Sequence, residues 1–214
     1  MALGLDPKRP VLLVMGGSQG ASGINELVSH AVAHLASTAP ELQYLHLTGA
    51  NDIDKVRSNY GAQNARAMVL PFLTEMELAL GAATLAVSRA GASSLAELAA
   101  MRLPSILIPY PTAADNHQFY NARAVTDAGA AMLLEQSGAT GEKLAGMVLK
   151  LVRDPATHKA MREELIRWHS PHAAELIAEK MLLLTQAKGN WKGDAAVTRF
   201  PSTPEIRSPQ SAIV

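Results

Sequence analysis

Short apolar runs alternate with segments of helical periodicity along most of this chain. The apolar runs are hydrophobic at nearly every position, which is typical of parallel strands that helices cover on both faces. Short connections that contain Gly or Pro mark the ends of these elements. The predicted strands are residues 10–16, 42–48, 67–72, 84–88, 105–110 and 130–135. The predicted helices are residues 22–37, 52–59, 74–80, 92–102, 115–127, 139–152, 155–167 and 171–186.

This alternation of strands and helices predicts an α/β fold with a parallel sheet. A length of 214 residues fits one such domain and a tail, and we expect the domain over residues 10–186. From Ala187 onwards the sequence holds three prolines, two glycines and no apolar periodicity. Residues 187–214 are therefore expected to form a disordered tail.

The charges of the chain balance, with 19 Lys and Arg residues against 19 Asp and Glu residues. This balance argues against a nucleic-acid surface, which must neutralise many phosphates at once, but it allows the binding of a single nucleotide. The absence of cysteine excludes disulfides and thiolate metal sites. No apolar run reaches the roughly 18 residues of a membrane helix, and the first residues lack the apolar core of a secretion signal. We therefore expect a cytoplasmic protein that meets a membrane only peripherally or through a partner.

The first candidate site is the loop "GGSQG", residues 16–20, between the first predicted strand and helix. Glycine lets a ligand approach the backbone closely, and the N-terminus of the following helix offers free N–H groups. Ser18 and Gln19 add side-chain donors next to Gly17. The spacing matches neither the dinucleotide fingerprint nor the P-loop. The loop therefore indicates either a phosphate site or, about equally well, a tight turn between strand and helix.

The second candidate is "SRAGASSLAEL", residues 88–98, where a predicted strand ends and a helix begins. The helical periodicity places Ser93 and Glu97 on one side, four residues apart, and an apolar stripe on the opposite, core-facing side. Ser94 lies beside them at the start of the helix. A carboxylate in this place can accept two hydrogen bonds from a vicinal diol such as that of ribose. The alternative is a solvated glutamate without a ligand.

The third candidate is the cluster "DNHQ", residues 115–118, at the start of another predicted helix. Asn116, His117 and Gln118 are hydrogen-bonding side chains that suit sugar hydroxyls. The alternative is a capping box, in which Asp115 and Gln118 cap the helix and do nothing else. His117 could also be read as a metal ligand, but no second ligand lies at a useful spacing. We therefore predict no metal site and no cofactor.

The fourth candidate is "LPFLTEM", residues 70–76, where a predicted strand ends and the next helix begins. Leu73 and Met76 belong to an apolar ledge, and the backbone groups beside it are free to bind a flat base. The alternative is that these residues are part of the hydrophobic core, which is the commoner role of such side chains.

In this order and spacing, the four segments resemble the C-terminal, nucleotide-sugar-binding domain of the MurG family, the bacterial N-acetylglucosaminyltransferases of glycosyltransferase family 28. The resemblance covers about residues 5–180, and five stretches carry it: "GGSQGASGIN", "LPFLTEM", "SRAGASSLAELAAMRLPSILIPYP", "DNHQFYNARAV" and "DAGAAMLLEQ". It implies a Rossmann-like domain, one half of a GT-B glycosyltransferase. It also implies that residues 1–9 are the remnant of a linker between two domains.

The same resemblance implies that the ligand is UDP-N-acetylglucosamine and that two segments bind its diphosphate. The residues that the resemblance implies to contact the phosphates are Gly17, Ser18, Ala92, Ser93 and Ser94, and the reading of the loop itself adds Gln19 as a donor.

Three further contacts follow from the resemblance. Leu73 is expected to bind uracil through its backbone, with Met76 close by. Glu97 is expected to bind the ribose of uridine. His117 and Gln118 are expected to contact the hydroxyls of N-acetylglucosamine.

The resemblance also implies an activity to which this chain contributes only one half. The acceptor C4 hydroxyl of a lipid-linked muramoyl-pentapeptide would displace UDP with inversion, which converts lipid I to lipid II in peptidoglycan synthesis and so supports cell shape and division. No stretch like "GGTGGH", which belongs to the acceptor domain of the family, occurs here. The general base and the membrane contact at the inner face of the plasma membrane are therefore expected in an N-terminal acceptor domain, and this chain alone is expected to be inactive.

Two alternatives stay open at this point. The chain resembles, less specifically, the donor half of other UDP-sugar transferases, such as glycolipid synthases or split transferases of N-glycan precursors. It also fits a non-catalytic subunit that binds a UDP-sugar while a partner supplies the chemistry.

Overall fold

Six parallel strands form a sheet in the computed structural model of this chain, which describes residues 3–17 and 20–189. The strands are β1 (Val11–Met15), β2 (Gln43–Leu47), β3 (Ala67–Leu70), β4 (Leu85–Ser88), β5 (Ser105–Leu107) and β6 (Met132–Leu133). Their order in the sheet is β3-β2-β1-β4-β5-β6, and every pair is parallel. The predicted α/β fold with a parallel sheet is therefore confirmed.

Strand β1 lies in the middle of the sheet because all five of its side chains are apolar and buried. It pairs with β2, with Val11 opposite Gln43, and with β4, with Leu12 opposite Leu85. The chain order reverses at this point, since β2 and β3 lie on one side of β1 and β4 to β6 on the other. In open α/β sheets such a reversal leaves a crevice at the carboxyl ends of the strands, where ligands bind.

Eight α-helices accompany the strands within the described residues. They are α1 (Ser22–Thr38), α2 (Ile53–Ala62), α3 (Met76–Ala82), α4 (Ala92–Ala100), α5 (His117–Asp127), α6 (Gly141–Arg153), α7 (Pro155–Leu165) and α8 (Ala173–Gly189).

The two faces of the sheet are covered by different helices, because successive side chains of a strand point to opposite faces. Leu12 and Val14 pack with apolar side chains of α1, α2 and α6. Val11, Leu13 and Met15 pack on the other face with those of α3, α4 and α5. Burial on both faces explains why the strands are apolar throughout rather than at alternate positions.

The structure differs from the predicted elements mainly at their ends. Strand β5 ends at Leu107 and β6 has only two residues, although the apolar runs continue, because those runs pass into buried loops. Strand β3 ends at Leu70, before the predicted end at residue 72. Helix α8 ends at Gly189, beyond the predicted end at residue 186, and residues 190–214 of the predicted tail lie outside the described residues. Among the helices described, none is long and apolar enough to cross a membrane.

Candidate functional site

A cleft of about 390 Å³ lies at the carboxyl ends of β1 to β4, where the strand order reverses. Three of the four predicted segments meet in its wall: the loop after β1, the loop after β3 and the start of α4. The lining residues are Met15, Gly17, Leu47, Pro71, Phe72, Met76, Ser93, Ser94 and Glu97. Five of the residues predicted from the sequence are therefore in one place.

Helices α1 and α4 follow strands that end at this cleft, and their N-termini have no capping side chain. Neither α1, which follows Ala21, nor α4, which follows Gly91, has a side chain that caps its first turn, and neither has an acidic residue there. Helices α2, α3 and α5 also lack a capping side chain, whereas Thr140 caps α6 and Asp154 caps α7 by accepting backbone N–H groups. Uncapped N-termini carry free N–H groups and the positive end of the helix dipole, which together bind anions such as phosphate.

The glycines of the loop after β1 are required by its geometry. Gly20 has a φ of +76°, and a Cβ atom there would lie 2.1 Å from the carbonyl oxygen of Thr48. Gly17 has a φ of +95° but faces open space, so that its backbone is accessible from the cleft. The tight turn therefore explains why residue 20 is a glycine. At Gly17 the remaining explanation is the close approach of a ligand to the backbone. Ser18 and Gln19, both predicted to bind phosphate, lie outside the described residues.

The first two turns of α4 divide as the sequence predicted. Leu95 and Leu98 are buried, and Ser93 and Glu97 are exposed towards the cleft. Ser94 is half-buried in the same wall. Ala92 is exposed as the first residue of the helix. A pair of hydroxyls and a carboxylate thus face the cleft from one helix, one turn apart.

The apolar wall of the cleft comes from the segment after β3. Phe72 is 56% exposed and lines the cleft together with Met76, which is half-buried at the start of α3. Leu73 packs its side chain against the core on the α4 face of the sheet. Its side chain therefore serves the core, and only its backbone is left for a ligand.

The cluster at residues 115–118 lies beyond the cleft, at the carboxyl end of β5. The alternative of a capping box is excluded: α5 begins at His117, and Asn116 precedes it in a left-handed conformation without a capping side chain. Asp115 is also left-handed, with a φ of 49°, so the chain turns too sharply for a carboxylate cap. His117 Nδ1 instead lies 2.8 Å from the carbonyl oxygen of Ala114.

Gln118 joins two loops instead of capping its helix. Its Oε1 accepts the N–H of Tyr110 at 3.0 Å and that of Ala90 at 3.3 Å, so it links the loop after β5 to the loop after β4. A second cleft of about 430 Å³ opens beside it between Tyr110, Tyr120 and Gln136. His117 and Gln118 therefore lie between the two clefts rather than in the wall of the first.

Two buried polar groups near the strand ends were missed by sequence reasoning. Arg89 is 7% exposed; its Nη1 donates to the carbonyls of Ile108 and Pro109 at 3.0 Å, and its guanidinium lies 5.3 Å from the ring centroid of Tyr110. Burial lowers the pKa of Arg89. The second group is the pair Asn25 and His46, both fully enclosed. His46 is a polar residue between the apolar residues Leu45 and Leu47, and no comparable signal marks Arg89 or Asn25.

A third cleft, also about 430 Å³, lies at the amino ends of β1 and β4, between residues 3–9 and α3. We take the smaller cleft at the carboxyl ends as the functional one because ligands of open α/β sheets bind there and because α3 and α4, which lack a capping side chain, begin in its wall. Within the described part of the chain, no group of three or more His, Cys, Asp or Glu side chains could hold a metal ion.

Comparison with known proteins identifies relatives of this chain by sequence. Residues 11–179 match the glycosyltransferase family 28 C-terminal domain. The chain is 40% identical over 204 residues to the UDP-N-acetylglucosamine–N-acetylmuramyl-(pentapeptide) pyrophosphoryl-undecaprenol N-acetylglucosamine transferase of Anaeromyxobacter dehalogenans, covering 95% of this chain and 53% of the relative. The transferase of the same name from Myxococcus xanthus is 40% identical over 201 residues, with 94% and 51% covered. The chain thus spans about half the length of these relatives.

Solved structures agree with this result. MurG of Acinetobacter baumannii has a TM-score of 0.73 and 28% identity, covering 82% of this chain and 52% of that protein. A UDP-GlcNAc 2-epimerase from Neisseria meningitidis bound to UDP-GlcNAc has a TM-score of 0.60 at 14% identity, over 84% and 46% of the two chains. At that identity the second likeness shows the fold alone.

Proposed function

The chain belongs to the glycosyltransferase family 28 C-terminal domain family, and from this we propose that it is the donor-binding domain of an inverting N-acetylglucosaminyltransferase that uses UDP-N-acetylglucosamine. The observation that carries the proposal is the cleft at the reversal of strand order, which brings Gly17, Ser93 and Glu97 together beside the uncapped start of α4. The names of the relatives support the choice of donor and of a lipid-linked muramoyl-pentapeptide acceptor.

The diphosphate of the donor would lie between the N-termini of α1 and α4. The N–H groups of both first turns and the hydroxyls of Ser93 and Ser94 are available as donors there. Ribose would lie against Glu97, whose two carboxylate oxygens accept hydrogen bonds from a vicinal diol. The uracil ring would contact Phe72 and Met76, which form the apolar wall.

The sugar would extend from the diphosphate towards the start of α5. Because two backbone N–H groups occupy the oxygen of the Gln118 amide, its NH₂ group is the part left to donate to a sugar hydroxyl. His117 binds the Ala114 carbonyl through Nδ1, and that bond makes Nδ1 the protonated nitrogen. Nε2, the other ring nitrogen, is then the atom left to bind a second hydroxyl.

Leaving-group stabilisation is the chemistry that this domain would supply. When the acceptor hydroxyl attacks the anomeric carbon, the bond to the diphosphate oxygen breaks and negative charge grows on UDP. Fixed N–H groups and helix dipoles aimed at the diphosphate stabilise that charge more than they stabilise the ground state. The general base, the acceptor site and a peripheral contact with the membrane are assigned to the other half of such a transferase.

Calorimetric titration of the 214-residue chain with UDP and UDP-N-acetylglucosamine tests the proposal, with UDP-glucose and UDP-galactose as competitors. We expect saturable binding of UDP and a preference for the N-acetylated sugar. Binding of all three UDP-sugars with equal affinity would favour a different transferase or a binding subunit. No binding of UDP at millimolar concentration would exclude a donor domain.

A further inference from the structure

A chain of buried polar groups runs from β2 to the first turn of α1. His46 of β2 is completely buried; its Nδ1 lies 3.1 Å from the hydroxyl of Tyr60 and its Nε2 lies 3.0 Å from Oδ1 of Asn25. Asn25 is 3% exposed. Buried polar groups cost free energy unless they are hydrogen-bonded, so a chain of three in an apolar core needs a reason.

The protons of these hydrogen-bonded groups have only one arrangement. Oδ1 of Asn25 can only accept, so His46 must carry its proton on Nε2. Burial lowers the pKa of His46 to about 3, so the ring is neutral and its Nδ1 accepts a hydrogen bond from the Tyr60 hydroxyl. The two acceptors that face its nitrogen, the Thr48 carbonyl and the Asp52 carboxylate, fix which side of the Asn25 amide is oxygen, and the Nε2 proton of His46 holds that oxygen in place.

The NH₂ group of Asn25 then has two acceptors at the edge of the sheet. It donates to the carbonyl oxygen of Thr48 at 2.8 Å and to Oδ2 of Asp52 at 2.8 Å. Hydrogen bonds from Asn25 and from Ser22 lower the pKa of Asp52. The first turn of α1 is therefore tied through two of its residues to the segment that follows β2.

The carbonyl of Thr48 is also the group against which the loop after β1 rests. At Gly20 the chain passes so close to this oxygen that no Cβ atom fits. The amide N–H of Gly20 donates to the carbonyl of Gly17 at 3.0 Å, which carries the restraint to the residue that faces the cleft. One carbonyl thus contacts both the loop, at Gly20, and α1, through Asn25.

We propose that Asn25, held by His46, is a positioning residue for the diphosphate of a nucleotide: it holds Gly20, and through it Gly17, together with the N-terminus of α1 in the geometry that binds phosphate. The inference rests on the proposed function of the cleft. It assigns no contact with the ligand to either residue. Their effect reaches the ligand through the Thr48 carbonyl and Gly20, so it should appear on the phosphates and not on the nucleoside.

The test compares UDP with uridine as ligands of the full chain, using calorimetry for UDP and ligand-detected NMR for uridine. Asn25→Ala should weaken the binding of UDP about tenfold, the size expected when one buried hydrogen-bonding group is lost. The affinity for uridine should not change. His46→Leu should have the same effect. His46→Gln, whose amide can still donate to Asn25, should restore most of the affinity for UDP.

Val32→Ala is the matched control, because Val32 is fully buried in the same helix but lies far from the loop in sequence. It should lower stability without changing the ratio of UDP to uridine affinity. Equal losses of UDP and uridine in Asn25→Ala, or the same change of ratio in Val32→Ala, would overturn the inference.

Should Asn25→Ala not fold, Asp52→Ala removes one of the two acceptors of the same amide at a half-buried position and should reduce the ratio in the same direction. An unchanged ratio in Asp52→Ala and His46→Leu would also overturn the inference. Absence of UDP binding by the unmodified chain would instead contradict the proposed function, so the two failures are distinct.

Discussion

The amide oxygen of Gln118 accepts the backbone N–H of Tyr110 at 3.0 Å, across the gap between α5 and the loop after β5. The same oxygen accepts the N–H of Ala90 in the loop after β4. One side chain therefore fixes two loops at the edge of the proposed donor site, and its NH₂ group is left for the sugar. The oxygen of this amide therefore stabilises the two loops, and its nitrogen is available to the ligand.

This division predicts that Gln118→Glu will separate the two roles. A carboxylate still accepts both backbone N–H groups but donates nothing, so the free energy of unfolding should stay within about 0.5 kcal/mol of the original. The preference for UDP-N-acetylglucosamine over UDP should disappear while UDP binds as before. Titration with the two ligands and urea denaturation measure these effects.

Gln118→Ala is the control for that variant, because it removes both ends of the amide. Leaving the two loop N–H groups without a partner should cost about 1–3 kcal/mol of stability. If Gln118→Glu keeps the preference for the N-acetylated sugar, the amide does not contact it.

Glu97 is predicted to act on the ribose and not on the fold. Its side chain is exposed on α4 beside the cleft, so Glu97→Ala should change the melting temperature little. The same substitution should weaken the binding of UDP about tenfold. The loss should be smaller for 2′-deoxy-UDP, which lacks one hydroxyl of the diol. Glu77→Ala, an exposed glutamate on α3, is the matched control. A fall in stability with unchanged affinity would show that Glu97 is an ordinary helix glutamate.

Local patterns were sufficient to predict the sheet, the helices and one wall of the site. The strands were visible because both of their faces are buried, and the face of α4 was visible because helical periodicity separates Leu95 and Leu98 from Ser93 and Glu97. Strand ends were placed too late at β5, where buried residues such as Ile108 continue past the last strand pair.

Contacts between distant parts of the chain could not be predicted in the same way. The local spacing of Asp115 and Gln118 offered a capping box as one alternative, but the partners of Gln118 are Tyr110 and Ala90, which the pairing of β4 with β5 brings close. Asn25 and His46 meet only because α1 packs over β2. Neither spacing is a helix or strand period, so no pattern in the sequence announces the contact.

The two positive-φ glycines of the loop after β1 are predicted to respond differently to alanine. Gly20→Ala combines an unfavourable backbone conformation with overlap against the Thr48 carbonyl, and should cost about 2–4 kcal/mol of stability. Gly17→Ala meets no atom and should cost only about 1–2 kcal/mol. Its methyl group would project at the cleft, so its effect on UDP affinity should be the larger of its two effects. Equal costs of unfolding for both variants would contradict the close contact at Gly20.

The stability of the fold is predicted to decrease with acidity in a window set by His46. Folding lowers the pKa of this ring from 6.5 to about 3, because burial disfavours its charged form. Below pH ~6.5 the unfolded chain takes up a proton that the folded chain does not, so the free energy of unfolding falls by about 1.4 kcal/mol for each pH unit between roughly pH 6 and pH 3.

Comparison with His46→Gln isolates this effect, since that variant has no ring to protonate. The pKa values of Asp52 and Asp154 are lowered from 3.8, so their contributions are lost only as the pH falls below about 4. Urea denaturation of both proteins at pH 6.5, 5.5 and 4.5 should therefore show a stability difference that shrinks steadily as the pH falls. Parallel lines for the two proteins over this range would mean that His46 is protonated in the folded state and would contradict the hydrogen-bond assignment in which its Nδ1 accepts from Tyr60.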